Sequence, residues 1–140
     1  MKKLFPFVLL LVLVLTACCH SGPPKMYLII KDASGDNIIS SNTITDDQHF
    51  SFLDAPSDMS GEPTSIGQAN SHNALEFNSW QVNSGQDVYL RIDTADVDTI
   101  NLIFNTIDKR CTDQIEISQA TYNGNLFVAA GGNTVVVTKQ

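Results

Sequence analysis

After the first two dozen residues the chain alternates short apolar stretches with clusters of turn-forming residues. Met26 to Lys31 is an apolar run ending in a charge, the pattern of a core strand. From Asp87 to Asp93 the alternation is strict. Val88, Leu90 and Ile92 share one face, and Asp87, Tyr89, Arg91 and Asp93 share the other. Asp98 to Ile107 repeats it with Ile100, Leu102 and Phe104, and Ile115 and Ile117 do so again. Thr134 to Thr138 is β-branched throughout. A period of two places alternate side chains on opposite faces of a strand, so these segments predict strands with a buried side. Ile38 and Ile39 predict a return strand. His49 to Leu53 predicts a short one with Phe50 and Phe52 on one face. Between Leu75 and Val82 the apolar phase slips from Phe77 to Trp80, which predicts a β-bulge.

The separators are turn chemistry. Asp32 to Asn37 contains Gly35, which is free to take positive φ. Asn83-Ser84-Gly85-Gln86 and Gly131-Gly132-Asn133 are further turns, and Asn123-Gly124 is the pair favoured by type I′ hairpins. Residues 54 to 73 differ, being polar with only Met59 and Ile66 as sizeable apolar anchors. A long structureless loop is unusual in a small domain, so this stretch is expected to contact a partner or to be ordered by one. No stretch has helical periodicity with caps. Short strands with turns every ~8–12 residues predict an all-β fold, an Ig-like two-sheet sandwich of about eight strands over residues 26 to 140.

The N-terminus is of another kind. Met1-Lys2-Lys3 is positive, residues 4 to 15 are apolar apart from Pro6, and Leu15-Thr16-Ala17-Cys18 follows. The apolar run is too short for the ~20 residues that span a bilayer. Small residues before a cleavage point suit a signal peptidase. The Leu15 to Cys18 segment resembles the lipobox of bacterial lipoproteins. That resemblance implies a signal peptide over residues 1 to 17, cleavage before Cys18, and acyl chains on Cys18. Two or more acyl chains anchor a protein stably, so a membrane is the expected partner of Cys18. Residues 18 to 25 form a short tether, with Pro23 and Pro24 blocking regular structure.

Cleavage also changes the charge. Removing Lys2 and Lys3 leaves six of the eight basic residues against all fifteen acids, a formal net charge of −9. Such a surface repels phosphate backbones, so nucleic acid is excluded as an expected partner. The acidity serves solubility, and a cationic partner or calcium stays open.

Candidate chemistry is sparse. The histidines are His20, His49 and His72, with no metal-ligand spacing, no HExxH and no nucleophile elbow. Cys19 and Cys111 remain beside Cys18; there is no CxxC, so no metal and no cofactor is expected. The two spare thiols are expected to be separate, although an oxidising compartment permits a bridge. Two acidic clusters are candidate ligand or calcium positions. Asp32, Ser34 and Asp36 place oxygens at alternate positions, as calcium loops do, or form an Asx-type hairpin turn. Asp93, Asp96 and Asp98 lie where two strands meet, as solvated turn carboxylates or a cation site. Tyr27, Tyr89, Trp80 and Tyr122 are aromatics of an exposed type that sugars stack on, but a single Trp in a small sandwich is expected to plug the core.

Ile30 to Asp36, Asp96 to Phe104, Cys111 and Thr121 to Asn125, taken with the lipobox, are similar to small β-sandwich lipoproteins of the Bacteroidetes type. That resemblance implies fold and address and brings no catalytic residue. Their surface-export signal, acids just after the lipidated cysteine, is missing from Cys19-His20-Ser21-Gly22. A lipid-anchored protein of the outer membrane facing the periplasm is therefore expected. The expected role is a non-catalytic binding or structural module of the envelope, with a protein or glycan partner. The alternative is an inhibitor or immunity-type protein against a cationic enzyme such as lysozyme. No enzyme activity is expected.

Overall fold

The structure is a computed structural model that describes residues 22–40, 51–53, 62–63, 65–93, 96–109, 113–128 and 132–140. The signal peptide expected over residues 1 to 17, Cys18, Cys19, Cys111, His49, Phe50 and Met59 lie outside them. Ten strands are described: β1 (Lys25–Lys31), β2 (Ser51–Leu53), β3 (Glu62–Pro63), β4 (Ser65–Ala69), β5 (His72–Asn78), β6 (Asp87–Asp93), β7 (Asp96–Ile107), β8 (Gln114–Tyr122), β9 (Asn125–Val128) and β10 (Thr134–Thr138). They make two sheets, ordered β10-β1-β5-β4 and β3-β2-β6-β7-β8-β9. The protein is an all-β, two-sheet sandwich, as the alternation predicts.

Each sheet turns one face inward. Met26, Leu28 and Ile30 of β1, Leu75 and Phe77 of β5, and Val135 and Val137 of β10 meet Leu90 and Ile92 of β6, Ile100 and Leu102 of β7, and Ile115, Ile117, Ala120 and Tyr122 of β8. The first and last strands pair in parallel, Tyr27 to Lys31 beside Thr134 to Thr138, while the other pairs are antiparallel. Two antiparallel neighbours need only a tight turn, but a parallel pair needs a crossover. Here the whole second sheet is part of that crossover, so closing the four-stranded sheet joins the two termini of the domain.

The turns behave as their chemistry predicts. Asn123 (φ 48°) and Gly124 (φ 80°) form the hairpin between β8 and β9 in the left-handed region that a type I′ turn requires. Two predictions are overturned. Ile38 to Ser40 is a single turn of 3-10 helix after an isolated bridge between Lys31 and Asn37, so Ile38 and Ile39 do not start the expected return strand. Asn37 caps it, its carboxamide oxygen accepting from Ile39 N at 3.1 Å, and Ile39 is buried under it. The stretch from 54 to 73 is also not one loop. It holds β3, β4 and the start of β5, with Asn70 (φ 51°) and Ser71 (φ 64°) as a tight hairpin turn. Both turn residues take a conformation that asparagine tolerates better than most, and Ile66 packs on the core as the anchor it was expected to be.

The aromatic residues redistribute. Trp80 is not the core plug. β5 ends at Asn78, and Trp80 sits 63 % exposed in the turn that follows. The phase slip after Phe77 is thus the end of a strand and not a bulge. Phe77 occupies the core in its place, only 2 % exposed. Tyr122 is buried, although the parity of Ile115 and Ile117 puts an even-numbered residue outside. The cause is a bulge on β8. Ile103 pairs with Gln119 and Phe104 with Ile117, which leaves Ser118 unpaired and its hydroxyl donating to Ile103 O at 3.0 Å. One extra residue inverts the side-chain parity of everything after it, so Ala120 and Tyr122 point into the core.

Candidate functional site

Charge concentrates at the end of the sandwich where β1 finishes. Asp96 and Asp98 lie on β7 in phase with the inward Ile100 and Leu102, so alternation carries a carboxylate toward the core. Asp98 is 3 % exposed. Burying a carboxylate is costly unless donors surround it, and three do. The Tyr122 hydroxyl donates to one carboxylate oxygen of Asp98, Asn123 Nδ2 donates to the other at 2.6 Å, and Lys139 Nζ lies 2.7 Å away. Lys139 also reaches Asp96 at 2.5 Å.

Local structure explains how these groups converge. Asn123 is held by the hairpin turn. Its backbone N donates to Thr99 O at 2.9 Å, and its side-chain oxygen accepts from Thr99 N at 2.8 Å. The turn thus continues the ladder beside β7 and aims the Asn123 amide at Asp98. Lys139 follows β10, and its backbone N donates to Lys31 O at 2.7 Å, so the parallel pairing of β10 with β1 delivers the ammonium to the acids of the opposite sheet.

The electrostatics follow. Burial works against the Lys139 ammonium, but hydrogen bonds and attraction from Asp96 and Asp98 outweigh it and raise its pKa above the ordinary 10.5. Burial first, and then the bond to Asp98, push the Tyr122 phenol far above its usual range. Both groups stay protonated in the fold, so each acts as a fixed donor to Asp98.

The candidate cation positions therefore hold groups of the chain itself. The acidic pair Asp96 and Asp98 binds an ammonium, that of Lys139. Asp93 faces Asp96 across the end of β6, beyond a register shift after Arg91. The second candidate is at the same end. Asp32 turns its carboxylate into its own loop, accepting from Ser34 N at 2.8 Å and Asp36 N at 3.0 Å, while Gly35 N donates to Asp32 O at 3.0 Å. That is an Asx turn, the hydrogen-bonding role that favours aspartate there. Ser34 and Asp36 are exposed and contribute their backbone N–H groups to it. Among the described residues, no three His, Cys, Asp or Glu are grouped to hold a metal ion.

Sequence reasoning missed Lys139 and placed Tyr122 wrongly. Lys139 carries a weak signal, being the single basic residue after Arg110. For Tyr122 the signal was the slip of the apolar phase from Ile115 and Ile117 to Ala120 and Tyr122, which sequence reasoning did not use. Asp98, expected as a solvated turn carboxylate or a cation ligand, is instead buried, because it shares the inward parity of Ile100 and Leu102.

At the opposite end, where β1 begins, an open cleft of about 330 Å³ is lined by Pro24, Lys25, Asp113, Gln114, Ile115, Gly132 and Asn133. Asn133 Nδ2 donates to Lys25 O at 3.0 Å and closes one side. Lys25 pairs with Glu76 at 2.5 Å on the outer face of the smaller sheet. On that face Tyr27 lies against Gly67, where an added Cβ would stand 3.2 Å from the ring and 2.7 Å from the Glu76 carboxylate. The glycine leaves room for a tyrosine that reaches across β5, and with Ile29, Ala69 and Ala74 it forms a small second apolar cluster.

The fold and these sites define the protein as a two-sheet β-sandwich with a self-neutralised carboxylate at one end and an open cleft at the other. Comparison of the chain with known protein families, with curated proteins and with solved structures finds no match.

Proposed function

We propose that this protein is a lipoprotein of the cell envelope, held to a membrane by acyl chains on Cys18, whose sandwich is a non-catalytic binding or structural module. Leu15-Thr16-Ala17-Cys18, placed behind a short positive and apolar leader, carries the reading. Where the domain starts supports it. β1 begins at Lys25, seven positions after Cys18 in the sequence. The state of the acidic groups supports the non-catalytic part. A general acid or base must be free to exchange a proton with a substrate. Asp98 is held by three donors of its own chain, and Asp32 is bound into its turn. The similarity to Bacteroidetes-type lipoproteins and the lack of acids after Cys18 favour the outer membrane and its periplasmic face.

Metabolic labelling with a fatty acid tests the anchor. The full-length protein is expected to incorporate label and to float with membranes. Cys18→Ala is expected to lose the label and to accumulate as the uncleaved precursor, still carrying its apolar leader. Label persisting in Cys18→Ala would overturn the reading.

A further inference from the structure

Trp80 is the only tryptophan of the chain, and it is spent on a turn where it is 63 % exposed. A ring of this size normally brings its apolar area to a core or an interface. The turn that holds it is well built. Gln81 N donates to Asn78 O at 3.0 Å, Asn78 N donates to the Gln81 carboxamide at 2.8 Å, and Val82 is buried beneath. Its position is informative, because Ser79 N donates to Pro24 O at 3.3 Å. Trp80 therefore stands beside the point where the chain enters the domain.

We infer that Trp80 docks in the lipid headgroup region of the membrane to which Cys18 is anchored, and that it sets the orientation of the sandwich on that membrane. The inference rests on the lipoprotein reading above. Only six residues lead from Cys18 to Pro24, a reach of at most ~20 Å when fully extended. The acyl chains hold Cys18 at the bilayer surface, and the Pro24 contact holds the Trp80 turn near the same level. Tryptophan favours this zone, where its ring meets apolar chains and its indole N–H meets water and headgroups.

Charge agrees with this. The domain is strongly acidic and most of its surface repels anionic lipid. From Phe77 to Gln86 there is no charged residue at all. Asp32, Asp36, Asp96 and Asp98 lie at the other end of the sandwich, where β1 finishes. The turn itself is uncharged and bears an exposed indole next to the tether, and the charges nearest this end are of both signs, Lys25 and Lys109 beside Asp108 and Asp113. Ile107, 37 % exposed at the end of β7, belongs to the same end. It pairs with Gln114, which lines the cleft together with Pro24.

The single tryptophan is its own probe. Full-length lipidated protein is reconstituted into vesicles of phosphatidylethanolamine and phosphatidylglycerol, and its emission is compared with that of the same protein unfolded in urea, where the indole is in water. The expected result is a blue shift, protection from acrylamide, and strong quenching when the vesicles contain lipid brominated near the headgroup. Protein that floats with vesicles while its indole stays red-emitting and open to acrylamide would overturn the inference and leave the anchor intact. Protein that neither floats nor carries acyl chains would sink the anchor and the inference together. Emission that responds to peptidoglycan fragments and not to brominated lipid would make Trp80 a glycan contact instead, which also overturns it.

Discussion

Phe77→Ala is expected to cost about 3–5 kcal/mol, enough to leave a domain of this size barely folded. Phe77 lies on β5 opposite Met26, and its ring is enclosed by both sheets. Truncation removes the transfer free energy of the ring and leaves a cavity that the two sheets cannot close without losing register. Trp80→Ala is the matched control. The larger aromatic is expected to change stability by no more than about 1 kcal/mol, because most of its surface stays in water on folding. Urea unfolding of the two variants, compared at equal m-values, checks both. A cost at Trp80 as large as that at Phe77 would mean that the exposed position is not the one occupied in solution.

Asp98→Ala is the second large effect, expected at about 2–4 kcal/mol. The variant strips the buried Tyr122 hydroxyl of its acceptor, and a buried donor left without one costs its full desolvation, while Asn123, exposed in its turn, can give its amide to water. Lys139 loses less, since Asp96 remains and the side chain is partly exposed. Lys139→Met acts from the other side by leaving the buried Asp98 with two neutral donors, and it should also loosen the pairing of β10 with β1. The double variant should cost less than the two single costs added, because both remove one shared network.

The same network sets an alkaline limit. Lys139 and Tyr122 have pKa values raised by the fold above their ordinary 10.5 and 10.0. A group with a raised folded pKa binds its proton more tightly when folded. Its contribution is complete below the unfolded pKa and is lost as pH climbs from there through the folded pKa. Stability is thus expected to hold up to about pH 10 and to fall above it. The slope should be shallower in Lys139→Met and in Tyr122→Phe, as thermal melts across that range would register. Equal slopes in all three proteins would assign the alkaline loss to other groups.

Much of the architecture is local in origin, and so the sequence by itself determined it. Val88, Leu90 and Ile92 alternate over a segment whose bounds are those of β6, because a period of two needs only neighbouring residues to express it. Asn123-Gly124 specified a turn for the same reason, since the preference for positive φ belongs to those two residues. What tertiary structure alone decided was every feature in which one strand answers to another. The bulge at Ser118 exists only in the pairing of β8 with β7, and it moved Tyr122 from surface to core. The end of β5 at Asn78 turned the expected core tryptophan outward, because Phe77 already fills the space opposite Met26. Lys139 meets Asp98 across 41 residues of chain because β10 runs parallel to β1, on the sheet opposite β7. Alternation specifies which face a residue shows, but only the pairing of distant strands sets what that face meets.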